Sequence, residues 1–570
     1  MSQLRGSPPA PSGTSGLVAR GSIVNMVAMT VGAVLGFGLT VVASRWLQPK
    51  ATGELFELIA IFSILAYALA LGADTGLTRW ISRARAIGSL ADIRRIVLIA
   101  VVPILLAGLV VGAALWISAP ALAGIFLHGL PRSSAAMDIR LIALGVPLAG
   151  ISTCVLAAAR GFGRMWPYLA VEGLGKPALR IGLVVLVLVL GWGLRGALVA
   201  WIIPVAVGLA VGWVILAWLI RKEVPGADPW RPVPGRRPLA AGFWRFAAPR
   251  GVAGIFQIVV LWLDILLVGA FLSSYDAGVY AAVSKLAMLG TFALEGTRLA
   301  IAPQLSALLA RRQQAGAAAL FQSATNWLML ASWPVYVLFA IFPAVVLGIF
   351  GPRYATGAAA LVVLSLAMLV NLGTGNVTVV LLMGGKSSWN VANTVAALVV
   401  NVGLNLLLLP RIGIVGAAIA WAASILVDNV AAAVEVWWFL DLSPFGAGYG
   451  LAVAAGGGCF AVTGLAARAV LGQTLLGLVI AALAGLIAFV AVAYVGRGRL
   501  QLVGLSAAIR PGRRRAGRTG PGPGPGPAGP DPAGPGRHRA RAQDLVPGDR
   551  AGRRAELDWR PAWRPGHSSA

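Results

Sequence analysis

Three ionisable residues recur every fourth position in the otherwise apolar stretch VEGLGKPALRIGLV: Glu172, Lys176 and Arg180. On an α-helix that spacing stacks them on one face. A charge at membrane depth costs about 2.5–3.5 kcal/mol on insertion scales, so it needs a partner or a function. Glu172 and Lys176 can pair with each other. Arg180 lies roughly 16 Å in from one end of its apolar stretch, and Lys285 about 12 Å in from the end of another, at 1.5 Å per residue. At those depths snorkelling is harder, and both are expected to line a polar cavity. Arg250 and Arg298 fall near stretch ends, where a long stem can carry its head to the interface; they complete a cationic set of Lys176, Arg180, Arg250, Lys285 and Arg298. Asp74, Asp264, Glu295 and Asp428 read as charge partners or helix-end groups, with a coupling role left open for Glu172, Asp74, Asp264 and Asp428. A cavity richer in Lys and Arg than in acids suits an anion. Arg offers a planar fork to two phosphate oxygens, and Lys a point charge.

Bond-making chemistry has no comparable signal. Cys154 and Cys459 sit in apolar stretches and form neither a metal spacing nor a disulfide framework. His128, His538 and His567 are too few and scattered for a cluster. There is no catalytic triad, Walker A sequence or HExxH motif. The expectation is a protein that is not an enzyme and holds no metal or cofactor, with proton or Na⁺ coupling left open.

The elements that must position these residues follow from composition. Of 570 residues, 58% are hydrophobic and 11% charged, against about 45–50% and 25% in soluble domains. So few charges cannot cover a soluble surface. Apolar stretches of some 20 residues, long enough to cross ~30 Å of hydrocarbon as helices, begin with Ser22–Ser44, read as a retained first span. They recur along the chain to give an all-α integral membrane protein of about 14 spans. With the N-terminus inside, inner segments before the tail carry 18 Lys and Arg and outer loops 7. The positive-inside rule favours that orientation and puts both termini in the cytoplasm. The excess of 46 basic over 19 acidic residues is thereby explained without nucleic acid.

The chain also repeats. Leu47 precedes Gly53 by six and Leu272 precedes Gly278 by six; Gly161 precedes Trp166 by five and Gly384 precedes Trp389 by five; GLRGALVAW (Gly193–Trp201) parallels GIVGAAIAW (Gly413–Trp421). Three such pairs in order, at nearly constant offset, point to duplication. Six spans per repeat is an even number, so both halves insert the same way up, around a central cavity. The expected organisation is an N-terminal six-helix bundle over 1–220, a basic Pro-rich cytoplasmic linker over 221–245, a second bundle over 246–440, two extra helices over 441–495 and a disordered Arg/Pro/Gly-rich cytoplasmic tail over 496–570. The basic run Arg510–Arg518 reads as a solvated flank or as a contact for anionic lipid headgroups.

Several stretches resemble the polysaccharide transporter family, the lipid-linked oligosaccharide flippases of the multidrug/oligosaccharidyl-lipid/polysaccharide exporter superfamily. Gly53, then Asp74, Gly76 and Leu77, match its opening pattern; Asp264, Gly269, Gly278 and Tyr280 match around the seventh and eighth spans; Gly385, Lys386, Asn401, Asn405, Pro410, Gly413 and Gly416–Ala418 match around the eleventh and twelfth. The likeness covers about residues 18–440. It implies two six-helix bundles forming a V, alternating access, and an inner-membrane carrier that moves a polyprenyl-pyrophosphate-linked oligosaccharide outward for polysaccharide assembly, its lipid tail staying in the bilayer. Membrane lipid, the polyprenyl-linked glycan and other polysaccharide-assembly proteins would be its partners. A peptidoglycan lipid-precursor flippase and a cation-coupled drug exporter are the alternatives. The exporter would want a deep carboxylate in the N-terminal half, and the first span has none. A membrane glycosyltransferase or polymerase would need outer acids or a sizeable outer loop.

Overall fold

The computed structural model describes residues 14–126, 131–223 and 236–500. In hydrocarbon every backbone N–H and C=O must be satisfied internally, which favours helices, and the described residues hold helices and turns with no strand. The first half consists of α1 (Thr14–Ala70), α2 (Ala73–Ala86), α3 (Ala91–Phe126), α4 (Arg132–Gly161), α5 (Trp166–Tyr168), α6 (Lys176–Val189) and α7 (Gly193–Glu223). The second consists of α8 (Arg236–Phe271), α9 (Ser274–Ala287), α10 (Leu289–Ala310), α11 (Gln314–Ile341), α12 (Pro343–Leu347), α13 (Ala358–Gly373), α14 (Val377–Met383), α15 (Ser387–Ile412) and α16 (Ile414–Leu440). The short α17 (Tyr449–Ala452) leads to α18 (Cys459–Leu471) and α19 (Leu475–Val495).

By length and apolarity, 12 helical stretches among the described residues can cross a membrane, against the expected fourteen. Two features account for the difference. Val34–Ala86 forms one long stretch that joins the later part of the first expected span to the second; its backbone breaks at Gln48 (φ 60°, ψ 171°), just before Pro49. The expected fifth span is assembled from α5, a π-helical turn over Leu169–Gly175 and the 14 residues of α6. No single piece is long enough to cross alone.

The linker expected over 221–245 is shorter at both ends, since α7 continues to Glu223 and α8 begins at Arg236; residues 224–235 and His128 lie outside the described set. Of the tail expected from 496, residues 496–500 are described. Leu500 is fully buried against Met329, Ala452 and Ala493, and Trp327 Nε1 donates to its carbonyl at 3.0 Å. Residues 501–570, with Arg510–Arg518, His538 and His567, are outside the described set.

The halves meet where α1 packs on α8 and α9. Gly53 and Gly278, equivalent by the repeat, pack on one another. A Cβ at Gly53 would stand 2.7 Å from Gly278 N, and one at Gly278 would stand 2.8 Å from Gly53 N. Small residues let membrane helices approach to backbone contact in this way. Around this point the α1 break is latched to the second half. Arg45 Nε donates to Ile349 O at 2.8 Å, Arg353 to Gln48 Oε1, and Tyr275 to Arg353 O at 2.9 Å. The largest buried cluster draws on both halves here, with Leu58, Ile59 and Ile139 against Tyr280, Val283 and Leu361. Nearer the opposite end, α1 meets α8 through Gly254, where a Cβ would stand 2.7 Å from Tyr67 Cε1, and beyond α1 Gly72 lies against Gly251.

Candidate functional site

Two of the expected deep cations come together. A cavity of about 330 Å³ is lined by Arg180 of α6 and Trp201 of α7 from the first half and by Trp262 of α8 and Lys285 of α9 from the second. Gly32 and Gly36 of α1 form part of its wall. Gly32 lets α1 approach the π-helical turn, since a Cβ there would stand 2.7 Å from Gly173 O. The Arg180 guanidinium carbon sits 3.6 Å from the Trp201 ring centroid, and Lys285 Nζ sits 4.7 Å from Trp262 and 5.7 Å from Phe56. An aromatic face attracts a cation by its quadrupole without neutralising it. Neither residue forms an ion pair among the described residues. Arg180 Nε and Trp201 Nε1 are both buried donors with no hydrogen-bond acceptor, and buried donors normally have one. The arrangement can take an anion between fixed positive groups with an apolar wall beside it.

Lys176 behaves differently. Its Nζ donates to Glu172 Oε1 at 2.5 Å and to Ser152 Oγ at 2.9 Å, so its charge is answered within the first half. Gly208 leaves room for its stem; a Cβ there would stand 2.5 Å from Lys176 Cε. Lys176, Glu172 and Arg180 share a second cavity of about 270 Å³ with Tyr67 and Thr153, and Arg180, Pro177 and Trp201 border both cavities. Arg250 and Arg298 lie outside both linings. Arg250 is exposed beside Phe246, 5.5 Å from its ring, and Arg298 is exposed and paired with Glu295 at 3.0 Å.

Asp264 is 4% exposed and accepts from Tyr280 Oη at 3.0 Å and Asn405 Nδ2 at 2.8 Å. Asn405 Nδ2 also donates to Asn401 O at 3.0 Å. Four residues on which the family resemblance rested, separated by up to 141 positions, thus form one polar cluster joining α8, α9 and α15. Asn401 Nδ2 and Asn405 Oδ1 remain without partners in it. Asp428 of α16 is half-buried with its Oδ1 unpartnered, and Asp74 is half-buried in the first turn of α2.

Four buried acids among the described residues were not anticipated: Glu54, Glu57, Asp138 and Glu435. Glu54 and Glu57 are 2% and 0% exposed beneath the α1 break, and each has an Oε1 without a partner. Ser274 Oγ donates to Glu57 Oε2 at 3.3 Å, and Gly269 makes room for the carboxylate, since a Cβ there would stand 2.6 Å from Glu57 Cδ. Asp138 nearby is paired with Arg195 at 3.0 Å. For Glu54 and Glu57 the signal was present as two acids three apart in GELFELIA. The aromatic platforms had a weaker one: Trp201 stood out as a repeat marker, with nothing to link it to Arg180.

Comparison with known proteins bears on what this arrangement serves. Residues 18–308 match the family model described as polysaccharide biosynthesis protein. A curated relative, the probable low-salt glycan biosynthesis flippase Agl15 of Haloferax volcanii, is 24% identical over 190 residues, 33% of this chain and 39% of that protein. The match therefore spans well under half of the relative. Among solved structures, lipid II flippase MurJ in an inward closed conformation superposes with a TM-score of 0.65 at 10% identity, covering 84% of this chain and 100% of that one. An inward-facing multidrug resistance MATE family transporter of the MOP superfamily gives 0.56 at 17% identity, covering 73% and 97%. At these identities the likeness is one of fold.

Proposed function

We propose that this chain, a member of the polysaccharide biosynthesis protein family with 12 membrane-length helices among its described residues and a fold like that of a lipid II flippase and a MATE transporter, moves a polyprenyl-pyrophosphate-linked oligosaccharide across the bacterial cytoplasmic membrane, from the cytoplasmic to the outer leaflet, by alternating access. One observation carries the reading: the cavity shared by the two halves holds Arg180 and Lys285 outside any ion pair among the described residues, with Arg180 Nε and Trp201 Nε1 lacking acceptors. A diphosphate would supply acceptors to both donors and countercharge to both cations, and Arg can hold two of its oxygens at once. The polyprenyl chain needs no enclosed site, because it stays in lipid while the head crosses. The closed contact at Gly53 and Gly278 is then the outward-side gate, and both termini are cytoplasmic, as the charge asymmetry favours. The chain acts as a carrier rather than an enzyme. Its driving force is the membrane potential or a coupled proton or Na⁺, for which the Asp264 cluster and Asp428 are the candidate carboxylates.

The test is a reconstituted flipping assay with polyprenyl-pyrophosphate glycan. Arg180→Ala and Lys285→Ala should each reduce flipping at least tenfold while the protein stays inserted. Arg180→Lys should lose more than Lys285→Arg, because an ammonium does not replace a bidentate fork. Normal flipping in both alanine variants would overturn the assignment of the cavity. Wild-type movement of cationic drugs without movement of the glycan would replace a flippase with an exporter.

A further inference from the structure

Away from the shared cavity, α3 and α7 both pack on α4 and leave an open groove of about 310 Å³ between them. Its rim carries Arg94, in the first turn of α3, and Arg221, in the last turn of α7. Its walls are Leu98, Trp213, Ala217 and Ile220, with the buried Leu216 at its floor. The helices run antiparallel, so the two guanidinium side chains sit at one end while the apolar wall extends from Arg221 to Trp213. The eight rises between them span about 12 Å of helix. Leu98 is 49% exposed and Trp213 47%, so this wall faces outward from the bundle rather than into it. On the other side of α3 a second groove, of about 400 Å³, repeats the pattern with Arg95, Val102 and Trp244, and Leu98 borders both.

Among the described residues, more basic than acidic groups stand around this rim. Of the neighbouring acids, Asp92 is paired with Arg95 and Glu223 with Arg85. Arg164 and Lys222 add positive charge beside it, both over the Trp218 ring, at 5.6 and 5.1 Å. Arg221 is exposed and in no ion pair among the described residues. A basic rim at headgroup level, an indole lower down and an apolar trough open to the bilayer are complementary to one class of molecule, a two-chain lipid with an anionic head.

We propose that the groove between α3 and α7 is a binding site for an anionic glycerophospholipid, its phosphate held between Arg94 and Arg221 and its acyl chains lying along Leu98, Ala217, Ile220 and Trp213. The site is distinct from the shared cavity and holds a lipid that is retained rather than carried. It ties the first half to one leaflet through α3 and α7 while α6 and the cavity stay free.

The experiment is native mass spectrometry of the purified full chain in detergent with dioleoyl phosphatidylglycerol, dioleoyl phosphatidylcholine and undecaprenyl phosphate as separate probes. Phosphatidylglycerol should be retained at least tenfold more tightly than phosphatidylcholine. R94Q/R221Q should weaken it about thirtyfold, the factor supplied by two basic groups at about 1 kcal/mol each. Ala217→Trp, which fills the trough and leaves both arginines in place, should abolish the same adduct, and decides the matter alone if the double variant does not fold. Equal retention of the two glycerophospholipids, or phosphatidylglycerol binding unchanged in the variants, overturns the site. If the variants remove undecaprenyl phosphate and spare phosphatidylglycerol, the groove belongs to the carried lipid and the proposal fails.

Discussion

The contact between Gly53 and Gly278 makes a prediction whose size the geometry sets. In Gly53→Ala the new Cβ would stand 2.7 Å from Gly278 N and nearer still to the Ser274 carbonyl oxygen. Ordinary contact begins at 3.4 Å, so the Gly278 N contact alone requires the backbones to separate by about 0.7 Å, and the closer Ser274 carbonyl requires more. Both neighbours are main chain, so no side chain can swing aside. Overpacking of a close contact costs about 1–3 kcal/mol. That cost falls on the conformation in which the halves touch here and vanishes in one where they part. It converts to a bias of roughly 5- to 150-fold toward opening at this end. The assay places a cysteine at Thr40 or Thr291, both on the cavity wall, with Cys154 and Cys459 replaced by Ser. It then measures labelling by an impermeant maleimide from outside intact cells. Labelling should rise severalfold in Gly53→Ala, and equally in Gly278→Ala, because the contact is reciprocal. Unchanged labelling in both variants, with the proteins inserted and stable, would refute the view that this glycine pair holds one face shut.

The remaining predictions concern ion pairs, polar packing, sidedness and energy. Glu172→Gln leaves Lys176 charged and without its carboxylate and should lower thermal stability by several degrees, whereas E172Q/K176M should recover most of the loss, since removing both partners of such a pair is cheaper than removing one. Asp264→Ala should destabilise by about 1–3 kcal/mol for each buried donor left without an acceptor, read in thermal unfolding, with Asp264→Asn milder. Reporter fusions after residues 90, 235, 385 and 500 should report cytoplasm, and those after 50, 128, 274 and 412 the outside. A head carrying two negative charges gains ~2.3 kcal/mol per charge per 100 mV on moving outward, so an imposed potential without ion gradients should drive flipping; flipping that ignores the potential and follows a proton or Na⁺ gradient would establish coupled antiport instead.

Much of the candidate site was legible before any fold. Arg180 and Lys285 stood out because a charge buried in twenty apolar residues is costly wherever its helix packs, and both line the shared cavity. The same reasoning placed Lys176 in the cationic set and also foresaw its pairing with Glu172, and only the structure shows that the pair forms, with Ser152 from another helix completing it. Glu54 and Glu57 escaped notice because they stand at the mouth of an apolar stretch, where acids are ordinarily solvated. For Glu57 the burial comes with Ser274 and Gly269, more than two hundred residues away.

The sequence by itself determined that the chain is helical and membrane-spanning, that its spacing repeats, and that it carries cations within its apolar stretches. Transfer into hydrocarbon is a local quantity, summed residue by residue along twenty positions, and a repeat is visible wherever both copies keep their spacing. The tertiary structure decided which surfaces meet. It set Gly53 against Gly278, brought Asp264, Tyr280, Asn401 and Asn405 into one cluster, laid Arg180 on Trp201, and left the trough between α3 and α7 open. These outcomes depend on shape and on hydrogen-bond partners drawn from helices far apart in the chain. Lipid solvates one apolar helix face about as well as another, so hydropathy carries no information about which faces pair.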